Sequence, residues 1–302
     1  MAFNYNEHKE LFSKLTAIKK TWNIEHKIIK NINTKIKHKL ANLTHSKYWK
    51  NNPSKKGVFV SEFIHHTYPA LKKNPKIKKV LDVACGNGLG VTLPLLRKGF
   101  NVYAFDHTKS GIDAAKKNAE SEGYKLNGQK ADMYKTFPYN SNSFDSTFCF
   151  QAIYHGRLEQ IMFTLSEIKR VTKKDGYFFT TVLCFDELLY DQRKKHYYFW
   201  VNSNGKKIRS WLKQDKSQPH LFYYLSKDFE YMVPHYFFTK EELKVILSQF
   251  FKDVKIKKVK RKENNCPFWF AQGTARTWFK FFIFVTFTKR NFWKKNHIGK
   301  YY

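Results

Sequence analysis

The stretch Val80-Leu-Asp-Val-Ala-Cys-Gly-Asn-Gly-Leu-Gly90 decides the fold of this 302-residue chain. An apolar run that carries one acid, Asp82, stops there at three closely spaced glycines. Further along, a second apolar run, residues 100–105, ends in Asp106. A strand, a glycine turn, a helix and a second strand that ends in an acid form the first half of a nucleoside-binding α/β fold. The pattern therefore predicts a ligand site at the carboxyl edge of a parallel sheet.

The three glycines of this stretch have a physical purpose in such a site. Gly86, Gly88 and Gly90 are expected to form the turn after the first strand, where the absence of a Cβ lets the backbone come close to a ligand. The start of the next helix, near residues 89–92, offers unpaired N–H groups and a partial positive charge. Asp106 can accept hydrogen bonds from both hydroxyls of a ribose.

Two rival glycine motifs do not match the sequence. A dinucleotide turn, G-x-G-x-x-G, requires a small residue at position 91 or 93, and Val91 and Leu93 stand there. A phosphate-binding P-loop requires Gly-Lys-Ser/Thr after the glycines, and that tripeptide is missing here.

The glycines and acids resemble motifs I and II of the class I S-adenosylmethionine (SAM) methyltransferases. Three later segments follow in that family's order: Ala131-Asp-Met133, Phe144-Asp145 before a buried strand that ends at Gln151, and the helix-turn-strand segment 167–176. The resemblance implies an α/β fold with a doubly wound, mostly parallel seven-stranded sheet, to which the sequence adds a basic helical N-terminal extension. It also implies SAM as the cofactor.

The resemblance assigns cofactor contacts to residues at the ends of these strands, namely Asp82, Ala84, Cys85, Gly86, Asn87, Gly88, Asp106, His107, Ala131, Asp132, Met133 and Gln151. Among them, Asp132 is expected to bond the adenine amino group and Met133 to pack on the ring. The loop 151–156 is expected to face the transferable methyl group. His155 is therefore the candidate base, and Tyr154 shares its position. An ordering role for His155 in the loop, or a contact with the cofactor, stays open.

The chain divides into an extension and a catalytic block. Residues 1–75 are predicted to be a basic helical extension or lid, and residues 76–302 the SAM-binding domain, in which 187–235 form an insertion that covers the substrate. The periodicity predicts helices over 5–43, 57–71 and 158–171, the last with an apolar stripe at Ile161, Leu165 and Ile168. It also predicts a helix that begins after Thr239 with Glu242 completing a capping box, and strands at 254–260 and 278–288.

Net charge is +32 and is concentrated at the two ends. Residues 1–80 hold 18 Lys/Arg against 4 acids, and residues 251–302 hold 14 against 2. Such a field attracts polyanions, so RNA is a possible partner through the basic flanks. An AT-rich genome would produce the same lysine-rich composition, and that explanation stays open.

Four widely spaced cysteines without a C-x-x-C pair argue against a zinc site and against a disulfide framework. We therefore expect a cytoplasmic protein without a bound metal, and no transmembrane segment is predicted from the sequence. The favoured function is methyl transfer to a small-molecule acceptor. The alternatives are an RNA methyltransferase and a non-catalytic partner subunit with the same fold.

Overall fold

The computed structural model describes residues 64–203, 206–225, 233–260 and 267–276. The predicted helix at 5–43, the predicted strand at 278–288 and most of both basic flanks lie outside these residues. The predicted helix at 57–71 falls partly within them. There Ile64 is helical, Thr67 closes a turn by donating its hydroxyl to the Ile64 carbonyl at 2.7 Å, and the next helix begins at Tyr68.

The described helices and strands alternate over the first half of the chain and give way to a run of strands in the second. In chain order they are α1 (Tyr68–Lys73), β1 (Lys79–Val83), α2 (Thr92–Leu96), β2 (Asn101–Asp106), α3 (Lys109–Glu120), β3 (Asn127–Lys130), β4 (Phe144–Phe150), α4 (Leu158–Val171), β5 (Thr172–Cys184), β6 (Leu189–Asp191), β7 (His196–Ser203), β8 (Lys206–Gln214), β9 (Leu221–Tyr224), β10 (Pro234–Phe238), α5 (Lys240–Ser248), β11 (Phe251–Lys260) and β12 (Pro267–Ala275).

Seven strands form the predicted doubly wound, mostly parallel sheet. β3, β2, β1, β4 and β5 are parallel neighbours in that order. β12 runs antiparallel to β5, and β11 runs antiparallel to β12. The antiparallel strand of this sheet is therefore β12, a segment that the sequence patterns did not predict to be a strand.

The centre of the sheet is apolar on both faces, as parallel strands covered by helices require. Val80, Leu81 and Phe148 are fully buried in β1 and β4. The apolar stripe predicted for α4 also faces the core, since Ile161, Leu165 and Ile168 are each at most 1% exposed. Asp145 joins two strands, because its Oδ2 accepts from the backbone nitrogens of Lys78 and Lys79 at 2.9 and 2.8 Å.

The predicted insertion after β5 is an antiparallel extension of the same sheet. β6 to β10 pair in sequence, and β10 then pairs in parallel with the last two residues of β5, Leu183 and Cys184. β10 also packs against the short 3₁₀ turn Ile153–His155 that follows β4. The insertion is thereby fixed at the carboxyl ends of β4 and β5, which is the edge where the sequence places the site.

Among the described helices, none combines the length and the apolar character that a membrane crossing requires.

Candidate functional site

Asp106 connects the end of β2 to the glycine turn after β1. Its Oδ2 accepts the backbone N–H of Gly86 at 3.0 Å. Its Oδ1 accepts both the backbone N–H and the hydroxyl of Thr108 at 2.8 Å. The residue is 6% exposed, and these bonds fix the carboxylate at the rim of the turn.

The turn after β1 adopts a backbone conformation that glycine permits. Gly86 has φ +55° and Gly88 has φ +75°, and Ala84 before them lies in the same left-handed region at φ +57°. A Cβ at Gly88 would lie 3.0 Å from the Cβ of Ala115, so Gly88 is needed for packing against α3. A Cβ at Gly86 would meet no atom within 4 Å, so open space adjoins the turn at Gly86.

Asp82 lies beneath this turn and is 2% exposed. Its Oδ2 accepts the hydroxyl of Thr92, the first residue of α2, at 2.7 Å. Burial raises the pKa of Asp82 to about 7, and the nearby Asp106 carboxylate adds to that effect. Asp82 therefore holds α2 against the strand end and changes its protonation near neutral pH.

The other predicted residues of the turn keep its shape. The backbone N–H of Cys85 donates to the Phe105 carbonyl at 3.0 Å, and burial raises the pKa of its thiol well above the usual value. Asn87 caps the turn, since its Oδ1 accepts the Leu89 N–H at 3.2 Å. His107 follows Asp106, with its Nδ1 3.5 Å from Oδ1 of that carboxylate.

The residues after β3 reach the same edge. The backbone N–H of Ala131 donates to the Asp106 carbonyl at 2.9 Å, which brings the predicted adenine-contacting residues next to β2. Oδ1 of Asp132 accepts the Tyr134 N–H at 2.9 Å. The carbonyl of Met133 accepts the Thr164 hydroxyl at 2.9 Å, which attaches this segment to α4.

The loop after β4 contains the candidate base. Gln151 lies in the left-handed region at φ +52°, and its N–H donates to the Thr181 hydroxyl at 2.9 Å. The rings of Tyr154 and His155 lie 4.4 Å apart between centroids. The ring of His155 in turn lies 4.6 Å from that of His235, a 1% exposed residue of β10. The insertion thus covers the loop with a second histidine.

A second polar cluster lies nearby. Glu242, in the first turn of α5, is 6% exposed, and its Oε2 accepts Nδ1–H of His220 at 2.7 Å. Its Oε1 accepts the hydroxyl of Tyr236 at 2.6 Å. The sequence pattern predicts a capping box between Glu242 and Thr239. The hydroxyl of Thr239 does accept the Glu242 N–H at 3.1 Å, but the carboxylate is engaged by His220 and Tyr236.

The methyltransferase domain family matches residues 81–180, the stretch from β1 through most of β5. These residues carry the glycine turn and the strand ends described above. This part of the chain therefore matches a methyltransferase domain, consistent with the predicted class I SAM methyltransferase superfamily.

Two curated relatives are similar to about half of the chain. A ubiquinone biosynthesis O-methyltransferase of Rickettsia prowazekii is 29% identical over 146 residues, which are 45% of this chain and 54% of that protein. The protein of the same name from Actinobacillus pleuropneumoniae is 28% identical over 142 residues, 45% of this chain and 59% of that one. The chain therefore spans little more than half the length of these curated relatives.

Solved structures share the fold of the methyltransferase domain and its surroundings. A 1,6-didemethyltoxoflavin-N1-methyltransferase of Burkholderia thailandensis, solved with S-adenosylhomocysteine bound, has a TM-score of 0.58 at 15% identity and covers 82% of this chain and 92% of its own. A Pyrococcus horikoshii protein has a TM-score of 0.50 at 18% identity, covering 76% of this chain and 99% of its own.

The residues at the turn of the methyltransferase domain fit the adenosyl group of SAM. Among the described residues, Oδ2 of Asp106 receives one hydrogen bond, from Gly86, and a carboxylate oxygen has a second lone pair for a ribose hydroxyl. Open space adjoins Gly86, the residue whose N–H this oxygen accepts, so a ligand can approach the turn there.

Proposed function

We propose that this chain is a SAM-dependent methyltransferase. The observation that carries the proposal is the bond between Asp106 and Gly86, which places a carboxylate beside an open, left-handed glycine turn within the methyltransferase domain. The two curated relatives described above, both named as ubiquinone biosynthesis O-methyltransferases, support the same reaction class.

In this proposal the residues around the turn hold the cofactor. Asp106 would accept the ribose hydroxyls, while the backbone at Gly86 and Gly88 would lie against the ligand. Asp132 and Met133, placed next to β2 by the Ala131 bond, would contact the adenine. The remaining residues at these strand ends would shape the same pocket, and Gln151 would border it from the end of β4.

SAM supplies a methyl group on a positively charged sulfur, which is already a good leaving group. The protein then contributes alignment of the acceptor and exclusion of water, and alignment alone can contribute ~7–11 kcal/mol. The insertion serves both purposes in this proposal. β10 covers the loop after β4, and the buried His235 closes over His155. His155 and Tyr154 would then border the acceptor.

We propose a hydroxyl group of a small molecule as the acceptor. The name O-methyltransferase of the relatives supports an oxygen nucleophile. The covering of the carboxyl edge by β10 supports an acceptor small enough to lie beneath the insertion. The basic flanks that would favour RNA lie largely outside the described residues, so that alternative stays a prediction.

Isothermal titration of the full chain with SAM and with S-adenosylhomocysteine tests the cofactor assignment. We expect saturable one-to-one heat for both ligands and none for NAD. A folded protein that gives no heat with either adenosyl ligand contradicts the proposed function.

A further inference from the structure

We infer that His220 is the general base that removes the proton from the acceptor hydroxyl, with Glu242 as its positioning residue. The inference rests on the proposed function, because it concerns the acceptor side of the same site. It replaces His155 as the residue that takes the proton.

The first observation is the geometry of the pair. Nδ1 of His220 lies 2.7 Å from Oε2 of Glu242, and a carboxylate can only accept in this bond. Nδ1 therefore carries the hydrogen, which leaves Nε2 of the neutral ring with a lone pair. A carboxylate that fixes the tautomer of a histidine and stabilises its protonated form is the arrangement by which enzymes orient a histidine base.

The second observation is that the carboxylate is held in place from both sides. The other oxygen of Glu242 accepts the Tyr236 hydroxyl at 2.6 Å. Burial, followed by the charge of Glu242, raises the pKa of Tyr236 well above the usual value, so this phenol remains a donor. The Glu242 backbone is also held, by the Thr239 cap. Glu159 of α4 is the other acid whose charge acts on Tyr236, and its carboxylate is bonded by Gln218 at 2.7 Å.

The third observation is the difference in exposure between the two partners. The side chain of Glu242 is 8% exposed, whereas that of His220 is 26% exposed. A purely structural pair would need no access to solvent. Here the carboxylate is enclosed and the imidazole is reachable, as a base that meets an acceptor must be.

The fourth observation is the place of the pair in the fold. The ring of His220 packs on Phe185, the residue immediately after β5, at 4.3 Å between centroids. The carbonyl of His220 accepts the N–H of Phe237 at 2.8 Å, and Phe237 is one of the two residues through which β10 pairs with β5. In the sheet, β4 lies between β1 and β5, so the carboxyl ends of β1 and β5 are about 10 Å apart at the usual strand spacing. An acceptor over β4 and β5 would therefore lie between this histidine and the glycine turn.

The proposed step balances without a further reactant. Nε2 of His220 takes the hydroxyl proton as the acceptor oxygen forms its bond to the methyl carbon. The carbon–sulfur bond breaks with its electron pair left on sulfur, and the proton on His220 then passes to water.

The test uses 4-nitrophenol, whose pKa lies near neutrality and whose ionised form absorbs visible light, added to the full chain saturated with S-adenosylhomocysteine. No methyl transfer can occur in this complex. At a pH below the pKa of the phenol, we expect binding to raise the phenolate absorbance. His220→Asn and Glu242→Gln should abolish the rise. His196→Asn, a change at another insertion histidine, should leave the rise intact.

A wild-type complex that binds the phenol without ionising it would overturn the inference, and so would an unchanged rise in His220→Asn. If His155→Asn loses the rise in absorbance and His220→Asn keeps it, His155 is the base and the inference is wrong. Titration with S-adenosylhomocysteine is run first on each variant. If neither the wild type nor the variants bind S-adenosylhomocysteine, the cofactor assignment is wrong. If all of them bind it but the absorbance results differ from those expected, only the role of His220 and Glu242 is wrong.

Discussion

Oδ2 of Asp106 lies 3.0 Å from the backbone nitrogen of Gly86, so the last residue of β2 is bonded to the turn that follows β1. The two residues are 20 positions apart in sequence and meet because their parallel strands end at the same edge of the sheet. The carboxylate thus shapes the turn as well as offering an acceptor to a ligand. Changes at Asp106 are therefore best made with a residue of the same shape.

Asp106→Asn should weaken S-adenosylhomocysteine binding about 10- to 100-fold, because a charge-assisted hydrogen bond contributes ~1.5–3 kcal/mol and 1.4 kcal/mol is about tenfold in affinity. Isothermal titration measures the change. The matched control is Asp113→Asn, an exposed acid of α3 paired with Lys109. Equal affinity in Asp106→Asn and wild type would remove Asp106 from the cofactor site.

The two glycines of the turn should respond differently to alanine. Gly88→Ala should cost about 2–4 kcal/mol of unfolding free energy, because the left-handed backbone is strained and the new Cβ meets Ala115 at 3.0 Å. Gly86→Ala should cost about 1 kcal/mol, since its Cβ would enter open space.

Affinity for S-adenosylhomocysteine should be reduced more by Gly86→Ala than by Gly88→Ala, the reverse of their order in stability. The Cβ of Gly86→Ala would project into the space that the ligand is proposed to use, so its affinity for S-adenosylhomocysteine should fall strongly in a well-folded protein. Urea unfolding and titration together check both statements. A Gly86→Ala variant that binds normally would show that the ligand lies elsewhere.

The buried Asp82 should make stability depend on pH. Its pKa rises to about 7 in the folded chain from an ordinary value of 3.8, so the folded state holds the extra proton between these values. The contribution of this group to the free energy of unfolding therefore falls as pH rises from about 4 to 7. The fall is at most about 1.36 kcal/mol per pH unit.

Asp82→Asn should remove that dependence. In urea unfolding, the stability of the variant relative to that of the wild type should therefore be higher at pH 8 than at pH 5. Thr92→Val removes the hydroxyl bond that lowers the pKa of Asp82, and the fall in stability should then extend to higher pH. A constant difference between Asp82→Asn and wild type across this range would contradict the assignment.

Two helix caps offer a comparison between stability and binding. The hydroxyl of Thr108 accepts the Gly111 N–H at 3.0 Å at the start of α3, and that of Thr239 accepts the Glu242 N–H at 3.1 Å at the start of α5. Replacement of either residue by alanine should cost ~0.5–2 kcal/mol in unfolding free energy. Thr108 also donates to Asp106, so Thr108→Ala alone should weaken S-adenosylhomocysteine binding. Equal affinities in the two variants would mean that the Thr108 bond does not tune the carboxylate.

Local patterns in the sequence were sufficient for the methyltransferase core. α4 has the predicted bounds, and the stretch 80–90 forms the predicted strand and turn. The antiparallel strand β12 was not predicted, because its mixture of aromatic, small and polar residues lacks the alternation that marks a half-exposed strand.

The sequence by itself determined the parallel sheet, the glycine turn and the position of Asp106, because each depends on residues that are close along the chain. Only the tertiary structure decided the partners of Glu242. A capping box is the arrangement favoured by local spacing, but the carboxylate is buried and is bonded instead by His220, 22 residues away, and by Tyr236. A buried charge needs such partners, and folding of the insertion onto the edge of β5 supplies them.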